Sequence, residues 1–536
     1  MKLLRPLPRA LSRPLAWTIL GAWAVQMGVL VHRSYLQAAS VSLAADLARY
    51  GTAAHWKGIY YRGEKIGFSV GQTLPTEDGF ELQEDGRLQM TLMGASSEAR
   101  ISTKARVDRQ FVLRSFSFSL DPGTGPIEVS GRLDGKRLQL DINTPSGRRS
   151  ETRELPEAPA LSLNLSRHLA AQGLEAGRHY ELSVLDPATL RNAPMLVDVE
   201  GRELVRAAGR PVPAFKVRTS FGGIESTSWI TDTGEVVREE SPLGLMVVKE
   251  TRERALAQSM PRDVQADLLE AAAIVPETKQ RIDDPRLVTR LTLQVEGAPL
   301  SGPDLQGAGQ SVEGSLITLV DAEELRAGPA DPQAASYLAP EPFIESDAPE
   351  IVAEARAAVA GEAGARARAE RLVRHVNALL EKKPTVSLPS ALEVLRTRIG
   401  DCNEHTALYV ALARAAGLPA RVAVGLVYLR GAFYYHAWPE VYLDEGRGRG
   451  LWLPVDPTLN QFPADATHVR LARGGLDKQT AILAFIGRAR MKMVDLRLRE
   501  GTVPTLVGAP EPRPGTALAL PRREPPRRAC WSAPRR

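Results

Sequence analysis

Three residues whose types cooperate in nucleophilic catalysis follow one another in the chain: Cys402, His436 and Asp456. A cysteine sulfur is a good nucleophile once an imidazole takes its proton, and a carboxylate can hold that imidazole in the correct tautomer and orientation. The sequence therefore predicts an acyl-transfer relay in which Cys402 attacks, His436 moves the proton and Asp456 orients His436.

The residues around Cys402 predict that it opens a helix. Asp401 is a good N-cap, and Glu404 completes a capping-box pattern, while Gly417 and Pro419 end the helix. The positive end of the helix dipole and its free amides favour thiolate, and the same amides could form part of an oxyanion hole. The alternative is a small buried cysteine without reactivity, which is the usual fate of a lone cysteine.

Three predicted strands follow this helix, at residues 421–429, 433–443 and 451–455. The second strand carries His436, and the third delivers Asp456 at its end. Because side chains alternate along a strand, one face of the second strand should carry His436, Trp438, Glu440 and Tyr442. A helix followed by three strands can present a thiol to an imidazole and a carboxylate on neighbouring strands.

Other residues were weighed for the same roles. His405 lies three positions after Cys402 on the same helix and is an alternative base, but no carboxylate is placed to orient it. We therefore expect His436 to be the base. His375 and His468 are expected to be surface or helix-packing residues.

The two cysteines, Cys402 in a patterned segment and Cys530 in a Pro/Arg-rich tail, do not predict a disulfide framework. A Cys402–Cys530 disulfide is the alternative, but it would consume the predicted nucleophile. The sequence has no metal-ligand spacing, so no metal and no cofactor is predicted. Arg421 is expected to be a structural ion-pair partner. Pro439 lacks a backbone donor and predicts an edge strand or a bulge just after the histidine.

Four stretches of the chain resemble the transglutaminase-like superfamily. They are Gly400–Glu404, Ala415–Val422, His436–Tyr442 and Trp452–Thr458. The resemblance implies a papain-like α+β fold and thioester chemistry at amide or peptide bonds. It also implies that the relay needs no metal. It covers only a small part of the chain.

The chain before this segment is predicted to be mostly β. Alternating residues between about 56 and 255 indicate antiparallel strands, with turns at Asp78-Gly79, Asp85-Gly86, Asp134-Gly135 and Thr233-Gly234. The clearest hairpin joins residues 127–132 to 137–142, and one helix is predicted at 160–172. A second β segment follows at 286–320. Residues 351–383 predict helix, broken near Gly361.

We therefore predict an α+β chain in which a large antiparallel β domain precedes a papain-like transglutaminase core. In that core, a cysteine at a helix N-terminus packs on an antiparallel sheet that carries the histidine and the aspartate. The predicted division is a basic flank and anchor at 1–40, the β domain at 50–256, a linker with a small β segment at 257–349, the catalytic domain at 350–505 and a disordered Pro/Arg-rich tail at 506–536.

The distribution of charge argues against a nucleic-acid partner. The 536 residues carry a net charge of +5, but the first thirteen residues hold four basic side chains, and the last twenty-six hold seven arginines against two glutamates. The remainder is mildly acidic, so no phosphate-binding face is indicated.

The N-terminus predicts a membrane anchor. Residues 15–31 carry no charge and follow a basic flank, which should stay in the cytoplasm. This places the bulk of the chain in the periplasm or outside the cell, on a single span of the inner membrane. The alternative is a signal peptide cleaved near Ala38-Ala39-Ser40, which exports the same domains.

These observations predict an envelope thiol enzyme that acts on a protein or peptide substrate, by hydrolysis or by acyl transfer to an amine. The alternative is a catalytically silent scaffold or binding protein that keeps the same fold. The sequence does not choose the substrate, the acceptor or the role of the β domain.

Overall fold

Alternating polar and apolar residues in the first half of the chain form a single large antiparallel sheet. The structure, a computed structural model, describes residues 54–92, 95–123, 125–145, 147–222, 224–241, 244–257, 273–298, 300, 303–383, 390–474, 482, 485, 488–499 and 505–506. The strands of the sheet are β1 (His55–Tyr61), β2 (Glu64–Pro75), β3 (Gly79–Leu92), β4 (Ala95–Asp108), β5 (Leu113–Asp121), β6 (Ile127–Asp134), β7 (Arg137–Thr144), β8 (Gly147–Glu154), β9 (His179–Asp186), β10 (Arg191–Ala207), β11 (Arg210–Phe221), β12 (Ile224–Ile230), β13 (Val236–Glu240) and β14 (Leu245–Glu250).

The order of this 14-stranded sheet is β8-β7-β6-β5-β4-β3-β2-β1-β14-β13-β12-β11-β10-β9. The chain therefore starts at the middle of the sheet and adds strands outward to β8. It then crosses to the other edge at β9 and returns inward until β14 pairs with β1, with Trp56 opposite Glu250. Strands that are adjacent in the sheet are also adjacent in sequence, except for β1 and β14, which pair at its centre.

Helix α1 (Ser162–Gln172) lies on the crossing between the two edges, as the sequence predicted, and Gly173 follows it. Leu161, just before the helix, and Leu185 on β9 share one apolar core with Val129 and Leu138 from the other end of the sheet. The sheet is therefore curved, because its two ends contribute to the same core.

The predicted hairpin between β6 and β7 is confirmed, and Gly135 has the positive φ of 59° that an Asp-Gly turn needs. The turn predicted at Asp85-Gly86 is wrong. These residues lie inside β3, where Gly86 pairs with Ser69 on one side and Ile101 on the other. Hydrogen bonds from two neighbouring strands hold this dipeptide extended, so its local turn preference is overridden.

The second half of the described chain mixes helices and short sheets. Its helices are α2 (Arg252–Leu256), α3 (Pro349–Ala358), α4 (Ala365–Leu379), α5 (Ala391–Thr397) and α6 (Cys402–Ala415), with 3₁₀ turns at Pro285–Leu287, Pro303–Leu305, Ala322–Glu324 and Ala334–Leu338. Its strands are β15 (Gln280–Arg281), β16 (Val288–Glu296), β17 (Gln310–Glu313), β18 (Leu316–Val320), β19 (Gly328–Pro329), β20 (Glu381–Lys382), β21 (Ile399–Gly400), β22 (Ala420–Leu429), β23 (Ala432–Gly446), β24 (Arg449–Pro454), β25 (His468–Arg473), β26 (Arg490–Leu498) and β27 (Thr505–Leu506).

Two sheets organise this half: a five-stranded sheet in the order β19-β24-β23-β22-β25, and a four-stranded sheet in the order β17-β18-β16-β26. The predicted break in the long helical segment is confirmed, since Gly361 with φ 86° separates α3 from α4. Helix α6 is buried along most of its length, and α3, α4 and α5 pack around it.

One apolar core spans this half. It includes Leu291 of β16 and Ile317 of β18 as well as Leu408 of α6 and Val441 of β23. The predicted β segment between residues 286 and 320 thus packs together with the cysteine-bearing helix. The proposed domain boundaries themselves stay a prediction.

The predicted anchor at residues 15–31 and the tail at 506–536 lie outside the described residues, apart from the end of β27. Within the described ranges, no helix has both the length and the apolar character needed to cross a membrane. The chain as described is an α+β protein dominated by antiparallel sheet, with a large β domain.

Candidate active site

The predicted capping box places Cys402 at the start of α6. The Asp401 side chain accepts a hydrogen bond from the Asn403 amide at 2.9 Å, and Glu404 Oε2 accepts one from the Asp401 amide at 2.9 Å. The residue before Asp401 has to be a glycine, because a Cβ at Gly400 would lie 2.2 Å from the Glu404 Cβ. The helix start is confirmed, and it orients the cysteine side chain.

The early end of β24 leaves room for the thiol beside β23. The Val455 amide donates to the Pro439 carbonyl, so the backbone groups of Pro439 point towards β24. The last ladder pair on that side joins Glu440 to Pro454. Since backbone groups alternate sides along a strand, Ala437 also points to this side, beyond the end of the ladder. Its backbone hydrogen-bonds to the Cys402 sulfur instead.

This arrangement corrects the expectation for Pro439. Strand β23 is the middle strand of its sheet, and no register shift interrupts its pairing with β22. The proline is tolerated because its missing N–H faces the side on which the β24 ladder ends. The strand is therefore neither an edge nor bulged at this point.

The pKa of the Cys402 thiol departs in the direction opposite to our expectation. Burial raises it well above the usual value, and the nearby carboxylates Asp401, Glu404 and Asp456 act in the same direction. The hydrogen bond from Ala437 lowers it but does not compensate. Burial, supported by the three carboxylates, thus favours the neutral thiol over the thiolate.

His436 and Asp456 lie together as predicted. His436 Nε2 is 2.8 Å from Asp456 Oδ2, and both side chains are buried. Asp456 Oδ1 accepts a second hydrogen bond from the Leu459 amide at 2.8 Å. Burial alone would raise the pKa of Asp456, but the attraction of His436 and hydrogen bonds from two imidazoles hold it below its usual range. Asp456 is therefore a carboxylate that holds Nε2 of His436.

His468 is the residue that the sequence analysis placed wrongly. It opens β25 and is buried, and its Nε2 lies 3.1 Å from the same Oδ2 of Asp456. Its Nδ1 contacts Asp465, with the carbonyl oxygen at 3.0 Å and Oδ1 at 3.2 Å. His468 and Arg470 alternate with apolar residues after a loop, and this pattern could have indicated a strand. Nothing in the local sequence indicates which carboxylate the His468 ring contacts.

His436, Asp456 and His468 are all residue types that bind divalent metals, and their ligand atoms lie within 4.8 Å of one another. They nevertheless fit a hydrogen-bonded network better than a metal site. The Nε2 atoms of His436 and His468 already contact the same oxygen, Asp456 Oδ2, at 2.8 and 3.1 Å. The other nitrogen of His468, Nδ1, contacts Asp465.

The alternative base, His405, is held away from a catalytic role. Its Nδ1 contacts the Asp401 carbonyl oxygen at 2.6 Å, and burial lowers its pKa. Its Nε2 is buried and has no hydrogen-bond partner among the described residues. Among the described residues, no carboxylate hydrogen-bonds to the ring.

A further side chain near the thiol was missed from the sequence. The Tyr435 hydroxyl donates to Asn403 Oδ1 at 3.1 Å and so joins β23 to the first turn of α6. Burial raises the pKa of Tyr435 well above its usual value, and the nearby carboxylates of Asp401 and Glu404 add to the effect. The phenol is therefore a neutral donor beside the cysteine.

A buried charge cluster lies on the same face of β23 as His436. Glu440 is fully buried and forms ion pairs with Arg421 at 2.7 Å, Arg473 at 3.0 Å and Arg470 at 2.5 Å. Burial opposes its ionisation, but the three guanidinium groups lower the pKa of Glu440 to about 2. The predicted structural role of Arg421 is confirmed by its pair with Glu440 and by its position 3.7 Å from the Trp452 ring centroid.

The same cluster attaches a loop to the active-site sheet. Arg470 Nε donates to the Asp304 carbonyl at 2.7 Å, and its Nη2 donates to the carbonyls of Gln306 and Gly307. Residues 304–307 are therefore held against β25, the strand that begins with His468.

Comparison with known proteins agrees with this geometry. Residues 350–457 match the family model described as the transglutaminase-like superfamily, and this part of the chain is a transglutaminase-like domain. The match includes Cys402, His436 and Asp456, and it ends before His468. It supports an enzyme of the cysteine type. No curated protein matches the chain.

Solved structures share little with the chain as a whole. "A Putative Cysteine Protease from Cytophaga hutchinsonii" is 15% identical over 42% of this chain and 89% of that one, with a TM-score of 0.25. A DUF1089 family protein from Pseudomonas aeruginosa is 16% identical over 32% and 87%, with a TM-score of 0.21. "A Putative Protease from Parabacteroides distasonis" is 12% identical over 66% and 68%, with a TM-score of 0.19.

Proposed function

We propose that this chain is a membrane-anchored thiol enzyme of the cell envelope, which acts on amide or peptide bonds through a thioester on Cys402. The observation that carries the proposal is the buried pair of His436 and Asp456, whose side chains lie 2.8 Å apart. His436 lies on β23, and the next residue of that strand, Ala437, hydrogen-bonds to the Cys402 sulfur. This is the spatial arrangement that a cysteine relay needs.

In the proposed reaction, His436 Nδ1 takes the proton of the Cys402 thiol as the sulfur attacks the substrate carbonyl. A carbon–sulfur bond forms, and the carbon–nitrogen bond breaks as the amine leaves with the proton from His436. Water or a second amine then attacks the thioester carbon as His436 takes its proton. The carbon–sulfur bond breaks, the acid or new amide is released, and His436 returns the proton to the Cys402 sulfur. Asp456 holds His436 throughout and stabilises its charged form.

The raised pKa of Cys402 favours proton transfer during the attack over a preformed thiolate–imidazolium pair. Burial and the three nearby carboxylates disfavour a resting thiolate, so the base must act in the same step. A substrate that covers the site must not add negative charge near the sulfur. Neutral amides and peptides meet that condition.

The oxyanion donors differ from the initial expectation. The capping box uses the Asn403 and Glu404 amides for the Asp401 side chain, so these amides are not free to bind an oxyanion. The backbone amides of Cys402 and Ala437 are the donors that we propose instead. Ala437 would shift its hydrogen bond from the sulfur to the substrate oxygen as the thioester forms.

The proposed location rests on the N-terminal sequence. The uncharged stretch at residues 15–31 follows a basic flank, which favours an anchor in the inner membrane and places the catalytic residues in the periplasm or outside the cell. An envelope protein or a peptide of the cell wall is the substrate class that this location supports. We also propose a papain-like arrangement of the core, supported by α6 packing against β22 and β23.

The test uses the full-length chain with Cys530→Ser, which leaves Cys402 as the only thiol. We expect turnover of amide or peptide substrates by this parent, and at least about a thousandfold loss in Cys402→Ala and in His436→Ala. His375→Ala is the control, because His375 pairs with Glu354 on the helices α3 and α4. Equal activity of the parent and Cys402→Ala would overturn the proposal.

A second candidate function is a scaffold that keeps this fold without turnover. The observation that favours it is the position of the thiol, since burial and three nearby carboxylates raise the pKa of Cys402 and make it less reactive. A scaffold should tolerate Cys402→Ala in cells, whereas an enzyme should not. Complementation of a deletion strain by the Cys402→Ala chain therefore separates the two functions.

A further inference from the structure

His468 occupies a position that the relay does not explain. Its backbone pairs with Val427 of β22, and its ring lies 5.7 Å from the His436 ring and 5.1 Å from the Trp438 ring, between centroids. Only 3% of its side chain is exposed. A buried histidine in contact with the relay carboxylate must have a partner for each of its two nitrogens.

Both nitrogens of His468 have carboxylate partners. Nε2 donates to Asp456 Oδ2 at 3.1 Å, and Nδ1 donates to the carbonyl oxygen and Oδ1 of Asp465, at 3.0 and 3.2 Å. A ring that donates from both nitrogens is an imidazolium. Burial opposes this charge, but Asp465 and Asp456 raise the pKa of His468 to about 10. The ring therefore carries a positive charge at neutral pH.

Asp465 is itself fixed by its neighbours. Its Oδ2 accepts from Gln461 Nε2 at 2.7 Å, and its Oδ1 accepts from the Thr467 amide and hydroxyl, at 3.0 and 2.6 Å. Its amide donates to Gln461 Oε1. Gln461 is in turn paired with Asp456 through both backbone groups. The loop between β24 and β25 thus holds Asp456 and Asp465 at a set separation, with the His468 ring between them.

Among the described residues, few charged groups lie around the His468 ring. Asp456, Asp465 and His436 face it directly, and the pair of Asp284 and Arg286 acts on Asp465 from a greater distance. The negative charge of Asp456 beside His436 is therefore offset by the positive charge of His468 on the other side of that carboxylate.

We propose that His468 is a positioning residue of the relay: held by Asp465, it orients the Asp456 carboxylate and offsets its charge beside His436. The inference rests on the proposed function of Cys402, His436 and Asp456. Without His468, Asp456 would lose one of its three side-chain hydrogen bonds. Its full negative charge would then act on Cys402, and the thiol would hold its proton to higher pH.

The first experiment follows the imidazole nitrogens by NMR, in the full-length Cys530→Ser chain with ¹⁵N-labelled histidine. We expect His468 to keep both protons up to about pH 9. In Asp465→Asn, which keeps the shape of the side chain but removes its charge, we expect His468 to lose a proton between about pH 6 and pH 9. A neutral His468 ring at pH 7 in the parent chain would overturn the proposal.

The second experiment measures the alkylation of Cys402 by iodoacetamide against pH. His468→Gln retains a donor for Asp456 but no charge, and we expect its alkylation midpoint to rise by about one pH unit or more. His375→Gln is the matched control, because it removes another histidine–carboxylate contact far from the thiol. A folded His468→Gln chain with the parent profile would show that His468 only packs the core.

These outcomes separate the two proposals. If His468→Gln shifts the alkylation profile of Cys402 but the parent turns over no amide, the enzyme function fails and the positioning role stands. If Cys402 does not react at any pH, the NMR experiment decides, since a neutral His468 ring at pH 7 in the parent would overturn the positioning role.

Discussion

The carboxylate of Asp401 caps the helix that begins at Cys402, and from the same position it opposes ionisation of the Cys402 thiol. One side chain thus stabilises the helix that presents the nucleophile and makes that nucleophile less acidic. The two effects can be separated, because asparagine caps a helix about as well as aspartate but carries no charge.

Asp401→Asn should therefore make Cys402 react at lower pH without loss of stability. We expect the midpoint of its alkylation profile to fall, because one of the carboxylates that raise the pKa of the thiol has been neutralised. The measurement is the rate of iodoacetamide alkylation against pH in a Cys530→Ser background. Asp321→Asn is the control, since Asp321 also caps a turn but does not act on the thiol. A midpoint that stays or rises would contradict this assignment.

Glu440→Gln should destabilise the catalytic region strongly. The substitution leaves Arg421, Arg470 and Arg473 without their shared buried carboxylate, and breaking a buried ion pair in this way costs about 3–5 kcal/mol. Urea unfolding followed by tryptophan fluorescence measures the loss. Glu370→Gln removes an exposed pair with Arg374 on α4 and should change the free energy of unfolding by less than about 0.5 kcal/mol. Similar losses in both variants would argue against the cluster.

The stability of the folded chain should fall as the pH rises above neutral. The folded pKa of His468 is raised from the usual 6.5 to about 10, so its contribution is complete below 6.5 and is lost as the pH rises through 10. Asp456 and Asp465 have lowered pKa values, so their contributions are present above the usual 3.8 and are lost in acid.

Thermal unfolding at a series of pH values tests this expectation. The parent should be most stable between about pH 4 and pH 6.5, and it should lose on the order of a few kcal/mol towards pH 10. His468→Gln should be less stable in that range and should lose less on the alkaline side. An unchanged alkaline slope in His468→Gln would assign the loss to other groups.

Gly425→Ala should separate β22 from β25. A Cβ at Gly425 would lie 2.0 Å from the Val469 carbonyl oxygen, so the strand that carries His468 must move. We expect a loss of about 1–3 kcal/mol in the free energy of unfolding, together with a changed NMR signal of the His468 ring. Gly328→Ala is the control, because nothing lies within 4 Å of a Cβ there. If the two variants unfold alike, β25 is not tightly packed on β22.

Local patterns predicted the parts of the site whose causes are local. The capping pattern of Asp401 and Glu404 located the start of α6, and alternation around His436 located β23. Partners distant in the fold were not predictable in this way. His468 meets Asp456 only because β25 pairs with β22 on the side opposite β23. The direction of the Cys402 pKa depends first on burial, which a reading of the helix alone does not include.

The β domain shows the same contrast. The Asp134-Gly135 turn was predictable because two residues decide it, whereas Asp85-Gly86 was misplaced because its neighbours on both strands decide its conformation. The return of β14 to β1 has no local signal either. It follows from the closing of a long chain of hairpins around a shared core.

That return has a consequence for how the two halves of the chain are joined. Because β1 and β14 are neighbours, with Trp56 opposite Glu250, the chain enters and leaves the large sheet at one place. The sheet is thus a side loop on the path of the backbone and adds no length between its entry and exit points. Such a unit can gain or lose hairpins at its far edges, β8 and β9, while the spacing between the N-terminal segment and the catalytic half stays the same.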